Sequence, residues 1–332
     1  MRAQKSIPTT IQAFALALTL GACSPSPAPG QTPHPTFTVV TPTPINRPTD
    51  GPPATDPPIA TPPPSSSDVQ VTTTHGVSFT EEGDCGPARC ALQLDVFEPE
   101  LPGTHPVAVL IPGSPGGPGH RTGLTEFAVA LAKTGVLVFN ADYRSAESAG
   151  PFPIPVGDAA CAVRFARAHA AEHRGDPSRI LLLGHSLGGY VALLEGLGAP
   201  ADQTDCLAAG EARVSAIVAL EPPFRPTPDD EFWTDFMGGT IAQLPDAYAA
   251  ADTSAYVGTD RDVVVRVLWG DEVWAELLSS PPDLLLVQQL ADAGYNASMA
   301  ELFGADHFGG IDVRQAADQT IALIHELPGF AQ

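Results

Sequence analysis

The sequence predicts an α/β domain: a mostly parallel central sheet with an N-terminal antiparallel hairpin and helices on both faces. Three observations carry this. The runs Pro106–Ile111, Gly135–Asn140, Ile180–Leu183, Val214–Leu220 and Val263–Trp269 are predominantly apolar, interrupted only by Asn140, Ser215 and Arg266, as strands buried on both faces are. Stretches with helical periodicity separate them, which is the rhythm of βαβ units. Ahead of them, Val69–Thr74, Gly76–Glu82 and the alternating Ala91–Glu98 read as antiparallel strands.

The chain begins with a segment set apart from any fold. Arg2 and Lys5 precede a short apolar run, Ile11–Leu20, which ends in Leu20-Gly21-Ala22-Cys23. A basic start, an apolar core too short to span a bilayer and small residues at its end make an export signal, residues 1–22. A cysteine directly after the small residues resembles the bacterial lipobox, which implies lipid on Cys23 and a domain held outside the cell on a bacterial membrane. Residues 23–67 read as a tether. Ser24–Ser67 holds 15 of the chain's 36 prolines and few large apolar residues, so it buries no core and stays extended. Its reach is roughly 40 Å as a coil or about 130 Å as polyproline II.

Residues 68–332 remain for one domain. The formal charge of the chain is −22, and Lys133 is the only lysine after the signal. This acidity argues against nucleic acid as a partner and against electrostatic docking on anionic lipid, and it suits solubility outside the cell. Contact with the membrane is expected only through the N-terminal anchor, and the domain is expected to be a monomer. Cys85, Cys90, Cys161 and Cys206 are an even set in an exported chain, which implies two disulfides. Three pairings exist. Cys85–Cys90, closing a hairpin turn, and Cys161–Cys206 are favoured. No histidine stands at ligand spacing beside them, so no metal is expected.

Taken in order, Phe127–Lys133 suits a helix between the first and second apolar runs, and Asp158–His173 carries Ala162, Phe165, Ala166 and Ala170 on one face. The segment that organises the rest is Arg179–Leu197. Its apolar run enters Gly184-His185-Ser186-Leu187-Gly188, and Val191, Leu193, Leu194 and Leu197 then keep an apolar face. Strand, G-x-S-x-G, helix is the context of a nucleophile elbow. A sharp turn presents the Ser186 hydroxyl in a strained backbone conformation, and glycines two residues to either side let the chain pass close by. The Leu187 amide, at the start of the helix, is free to donate to an oxyanion. After the strand Val214–Leu220, the stretch 224–262 breaks the rhythm and carries Phe224, Phe232, Trp233, Phe236 and Met237. It is either a lid or pocket wall, or a helix packing its aromatics into the core. Leu284–Asp292 reads as a helix and Ala297–Phe303 as the last strand.

GHSLGG at Gly184–Gly189 resembles the elbow of the α/β-hydrolase superfamily. Leu94-Asp95-Val96-Phe97-Glu98-Pro99 and Asp142-Tyr143-Arg144 at a strand end resemble bacterial esterases related to feruloyl esterases and hormone-sensitive lipase. The resemblance covers about Val71–Leu327 and implies an α/β-hydrolase fold with the order serine, acid, histidine. Gly304-Ala305-Asp306-His307-Phe308 resembles the histidine loop, which makes His307 the base. Of the other histidines, His120 lies near the oxyanion loop, His185 is expected to point elsewhere, and His325 lies on the last helix. The acid is expected after Val263–Trp269, where Asp271 is preferred and Glu272 is second, because Val273 stands at the family's usual acid position. Glu221 is the third carboxylate. Pro112-Gly113-Ser114-Pro115-Gly116-Gly117 stands where the family has its oxyanion loop. Pro112 and Pro115 have no N–H, so Ser114 is the candidate second donor beside Leu187.

This implies hydrolysis of a small-molecule ester or acylated substrate through an acyl-enzyme, with no cofactor. A peptidase or acyltransferase of the same fold is the alternative, and a non-catalytic binding domain that kept the fold is the third reading.

Overall fold

The computed structural model describes residues 69–86, 89–113, 120–145, 148, 150–200, 205–228, 230–258, 262–272 and 285–331. The signal, the tether, Cys23 and Ser114 lie outside the described residues. Those described build a sheet in the order β1-β4-β6-β5-β7-β8-β9-β10. The strands are β1 (Val71–Ser78), β4 (Gln93–Pro99), β5 (His105–Ile111), β6 (Leu137–Ala141), β7 (Gly175–His185), β8 (Ala216–Leu220), β9 (Val264–Gly270) and β10 (Ala297–Leu302). β1 pairs antiparallel with β4, and β4 with β6; every other pairing is parallel.

The two strands expected at Val69–Thr74 and Gly76–Glu82 are one. β1 runs through both, with an irregularity between Thr74 and Val77. Gly76 sits there at φ +67, a left-handed conformation that glycine adopts without strain. The link from β1 to β4 carries a two-stranded ribbon, β2 (Gly83–Asp84) with β3 (Arg89–Cys90), and the Cys85–Cys90 disulfide closes its tip. The second disulfide is Cys161–Cys206.

The predominantly apolar strands are explained by the two layers they divide. In β5, Val107, Val109 and Ile111 face one cluster, while Ala108 and Leu110 face the other. The same alternation runs along β7, with Ile180 and Leu182 opposite Leu181 and Leu183. Helices α2 (Ile154–His169) and α3 (Leu187–Gly196) and the helix Leu285–Asp292 cover the first face. Helix α1 (Thr125–Ala132) and the helix Ala317–His325 cover the second.

The 224–262 stretch holds α4 (Glu231–Met237), α5 (Pro245–Ala250) and a 3₁₀ turn, Thr253–Tyr256. Trp233, Phe236, Met237 and Tyr248 are buried with Leu187, Tyr190 and Leu194 of α3 in a third apolar cluster. Trp233 and Phe236 both meet the Tyr190 ring edge-on, and the Tyr190 hydroxyl donates to the carbonyl of Ala251. Trp233, Phe236 and Tyr248 therefore form a packed wall over the elbow helix, while Phe224 packs on Trp269 in the first cluster.

Candidate active site

Chain order reverses direction across the sheet between β5 and β7: from β5 the chain goes to β6 on one side, then crosses through α2 to β7 on the other. The crevice outside the carboxyl ends of strands at such a point is where open α/β sheets hold their sites. Ser186 stands there, at the turn from β7 into α3, with φ 53 and ψ −124. This left-handed backbone is strained for a residue with a Cβ. The glycines on either side have a direct steric cause. A Cβ on Gly184 would collide with the backbone of Gly188, and one on Gly188 with the carbonyls of Ile111 and Pro112.

Sheet register sets the rest. His185 pairs with Leu220, so Ser186 and Glu221 each follow the last paired residue of neighbouring strands. The Ser186 amide donates to the Leu220 carbonyl at 2.8 Å. The loop after β10 then reaches back over the ends of β9 and β8. It brings His307 Nε2 to 3.1 Å from Ser186 Oγ and His307 Nδ1 to 2.9 Å from Glu221 Oε2. A carboxylate only accepts, so Nδ1 carries the proton and the Nε2 lone pair faces the serine hydroxyl. Glu221 is 3% exposed and sits at φ 51. Its other oxygen, Oε1, accepts from the Gly270 amide at 2.8 Å, which fixes the carboxylate.

Asp271 and Glu272, expected to meet His307, do not. Asp271 Oδ1 accepts from the amides of Gly304 and Ala305 at 2.8 and 3.1 Å, so it holds the root of the histidine loop by its backbone. Glu272 is exposed, and its amide donates to the Ala305 carbonyl at 3.2 Å. The physical reason is position: the loop leaves β10 directly above the end of β9, and by the time it reaches His307 it lies over β8.

Leu187 opens α3, where its amide has no acceptor within the helix. Ser114, its expected companion, is outside the described residues. His120 lies 3.8 Å from Asp142, and His325 bonds Thr134 Oγ1 and the Phe330 carbonyl, away from the site. Asp142 and Arg144 buttress the fold: Asp142 accepts from the Arg121 amide at 2.9 Å, and Arg144 pairs with the fully buried Asp158.

His185, expected to point elsewhere, turns toward the site. Its Nε2 lies 2.7 Å from the His307 carbonyl oxygen. Its ring centroid is 4.9 Å from that of His307 and 5.3 Å from that of Phe308. Burial pushes its pKa down to about 4, so the ring is neutral at physiological pH.

A serine on a strained strand-to-helix turn, touching a histidine that touches a carboxylate, on a mostly parallel sheet, defines the class as α/β hydrolases of the carboxylesterase type. Within that class the chain belongs to the BD-FAE family, a feruloyl-esterase and hormone-sensitive-lipase-like family whose model matches residues 94–270. The matched stretch contains Ser186 and Glu221 and ends before His307. Among solved structures, the fold is similar to that of a truncated carbohydrate esterase from gut microbiota, at 20% identity and TM-score 0.59, covering 75% of this chain and 94% of that one. It is also similar to esterase 2 of Thermogutta terrifontis, at 19% identity and TM-score 0.59, covering 81% and 95%. The same esterase phosphonylated by sarin matches at 18% identity and TM-score 0.60, covering 82% and 99%. No curated protein matches the chain.

Proposed function

We propose that this protein hydrolyses carboxylic esters outside the cell, with Ser186 as nucleophile, His307 as base and Glu221 as the acid that orients it. The observation that carries the reading is the unbroken chain of hydrogen bonds Ser186 Oγ–His307 Nε2 and His307 Nδ1–Glu221 Oε2. His307 takes the Ser186 proton as Oγ bonds to the acyl carbon, and the carbonyl electrons move onto oxygen. The Leu187 amide, with Ser114 as the candidate second donor, holds that oxyanion; each such donor is typically worth about 3 kcal/mol. Collapse breaks the bond to the alcohol, which leaves with the proton from His307. Water then repeats the sequence on the acyl-enzyme, and Glu221 keeps the imidazole in the required tautomer and balances its charge. Forms of the Thermogutta esterase are named as bound to propionate and to butyrate, so short acyl chains head the substrates to try.

The test is labelling by a fluorophosphonate probe together with a panel of esters of graded acyl length. Ser186→Ala and His307→Ala are each expected to lose labelling and turnover while folding normally. Full ester hydrolysis by Ser186→Ala removes the mechanism. Turnover of peptides or transfer to an alcohol acceptor in preference to water favours a peptidase or acyltransferase instead.

The proposed setting rests on Leu20-Gly21-Ala22-Cys23 and the proline-rich stretch behind it. Lipid on Cys23 tethers the domain to a bacterial membrane. Cys23→Ala is expected to move the protein out of the detergent phase or leave it uncleaved; unchanged partitioning rejects the anchor.

A further inference from the structure

His185 fills a place in the site that the proton-transfer chain does not use. It is 2% exposed and stands one residue before the nucleophile. The His307 carbonyl only accepts, so the 2.7 Å contact requires the proton on His185 Nε2. The His185 ring packs on the rings of His307 and Phe308. On its other side lies Gly113, where an added Cβ would stand 2.9 Å from His185 Nδ1 and 3.2 Å from the Ser186 Cβ. One buried side chain thus touches the elbow it belongs to, the loop after β10 and the segment after β5.

We propose that His185 is a positioning residue that sets His307 over Ser186 by holding the His307 main chain from beneath. This rests on the reading of Ser186 and His307 as nucleophile and base. Glu221 orients the imidazole through Nδ1 and so fixes rotation of the ring. It does not fix the backbone that carries the ring. His307 sits in turn structure between β10 and the last helix, and its side chain is 42% exposed. The bond from His185 ties that backbone to the end of β7, the same strand end that presents Ser186. Nucleophile and base are therefore referenced to one rigid point. A displacement on the order of 1 Å between reacting groups costs about 100-fold in rate, so such a tie acts on the chemical step rather than on substrate affinity.

A buried ring that only fills space is separable from one that donates a hydrogen bond. The full chain carrying His185→Gln keeps an N–H donor at similar reach; His185→Leu and His185→Met remove it and keep the bulk. Each is assayed on p-nitrophenyl butyrate and for the rate of fluorophosphonate labelling, with thermal unfolding measured in parallel. The expected result is a fall in kcat and in labelling rate of about 10- to 100-fold for Leu and Met, with KM within about twofold, and recovery of most of the loss in Gln. Wild-type kcat in either apolar variant overturns the inference. So does a Gln variant as impaired as the apolar ones at equal thermal stability. Should neither apolar variant fold, kcat of the Gln variant decides alone: within about threefold of wild type supports the tie, and a loss as large as 10-fold or more overturns it. A wild type that turns over no ester overturns the hydrolase reading itself and is distinguishable from these outcomes.

Discussion

Glu221 and His307 meet at 2.9 Å although the strands that lead to them, β8 and β10, are separated in the sheet by β9. The histidine loop spans that gap, and Asp271 at the end of β9 holds it up from below through the Gly304 and Ala305 amides. Two carboxylates therefore divide the work that one is expected to do: Glu221 contacts the imidazole, and Asp271 contacts the main chain of the loop.

That division predicts opposite phenotypes. Glu221→Gln keeps the shape and loses the charge that balances the imidazolium, and it frees the wrong tautomer; kcat is expected to fall about 10³- to 10⁴-fold with little change in KM. Asp271→Ala removes the acceptor of two amides, the Gly304 one exposed and the Ala305 one part-buried, which costs about 1 kcal/mol, and is expected to lower the thermal midpoint while keeping most of kcat at 25 °C. Glu272→Ala is expected to change neither. Steady-state kinetics and thermal unfolding on the three variants check this. An Asp271→Ala protein as inactive as Glu221→Gln, with an unchanged midpoint, contradicts the assignment.

The parts of the site that lie within a few residues of one another were legible in the sequence. Gly184 and Gly188 announce Ser186 because their contacts are local, and Gly304–Phe308 announces His307 because the loop carries its own pattern. The carboxylate that meets His307 was not, because it depends on which strand end the loop crosses, and that is fixed by the register His185 with Leu220. The available signal was position: Glu221 follows its strand as Ser186 follows the neighbouring one, with two prolines behind it. His185 was missed for a related reason. The direction of a side chain at the end of a buried strand depends on the turn that follows it. The merging of two expected strands into β1 turned on Gly76, which reads as a break in sequence and acts as an irregularity within one strand.

The two disulfides are expected to contribute unequally. Cys161–Cys206 spans 45 residues and Cys85–Cys90 only 5. Loop-closure entropy gives about 4 kcal/mol for the first and about 2 kcal/mol for the second. The first also ties α2 to the segment that bridges Thr80, whereas the second closes a ribbon tip. Paired replacement by alanine, followed by denaturant unfolding, should rank the two in that order; equal losses contradict it.

His185 also predicts acid sensitivity. Burial, partly offset by its bond to the His307 carbonyl, holds its pKa at about 4, below the ordinary 6.5. The unfolded chain takes up this proton first as pH falls. The contribution is therefore fully present above pH 6.5 and is lost progressively down to about pH 4, up to roughly 3 kcal/mol. Denaturant midpoints of wild type and His185→Gln between pH 7 and 4 test this: the wild type should lose more stability than the variant across that window, and parallel curves argue against it.

Glu195 predicts the reverse slope. It lies on α3, 7% exposed, and its Oε2 has no hydrogen-bond partner. Desolvation raises its pKa to about 8 from the ordinary 4.5, more than Arg164 and Arg167 lower it. The folded protein keeps this proton while the unfolded chain gives it up, so the stabilisation is complete below pH 4.5 and declines as pH rises toward 8. The whole decline is at most about 5 kcal/mol. Glu195→Gln keeps the size of the side chain and removes the titration. The variant is expected to match the wild type near pH 4.5 and to exceed it increasingly up to pH 8, with ester turnover unchanged because Glu195 lies about two and a half turns beyond Ser186 along the helix. Urea midpoints at pH 5, 6.5 and 8 check this. A difference that does not grow with pH, or a variant weaker than wild type at pH 8, means that Glu195 is ionised and paired in the fold.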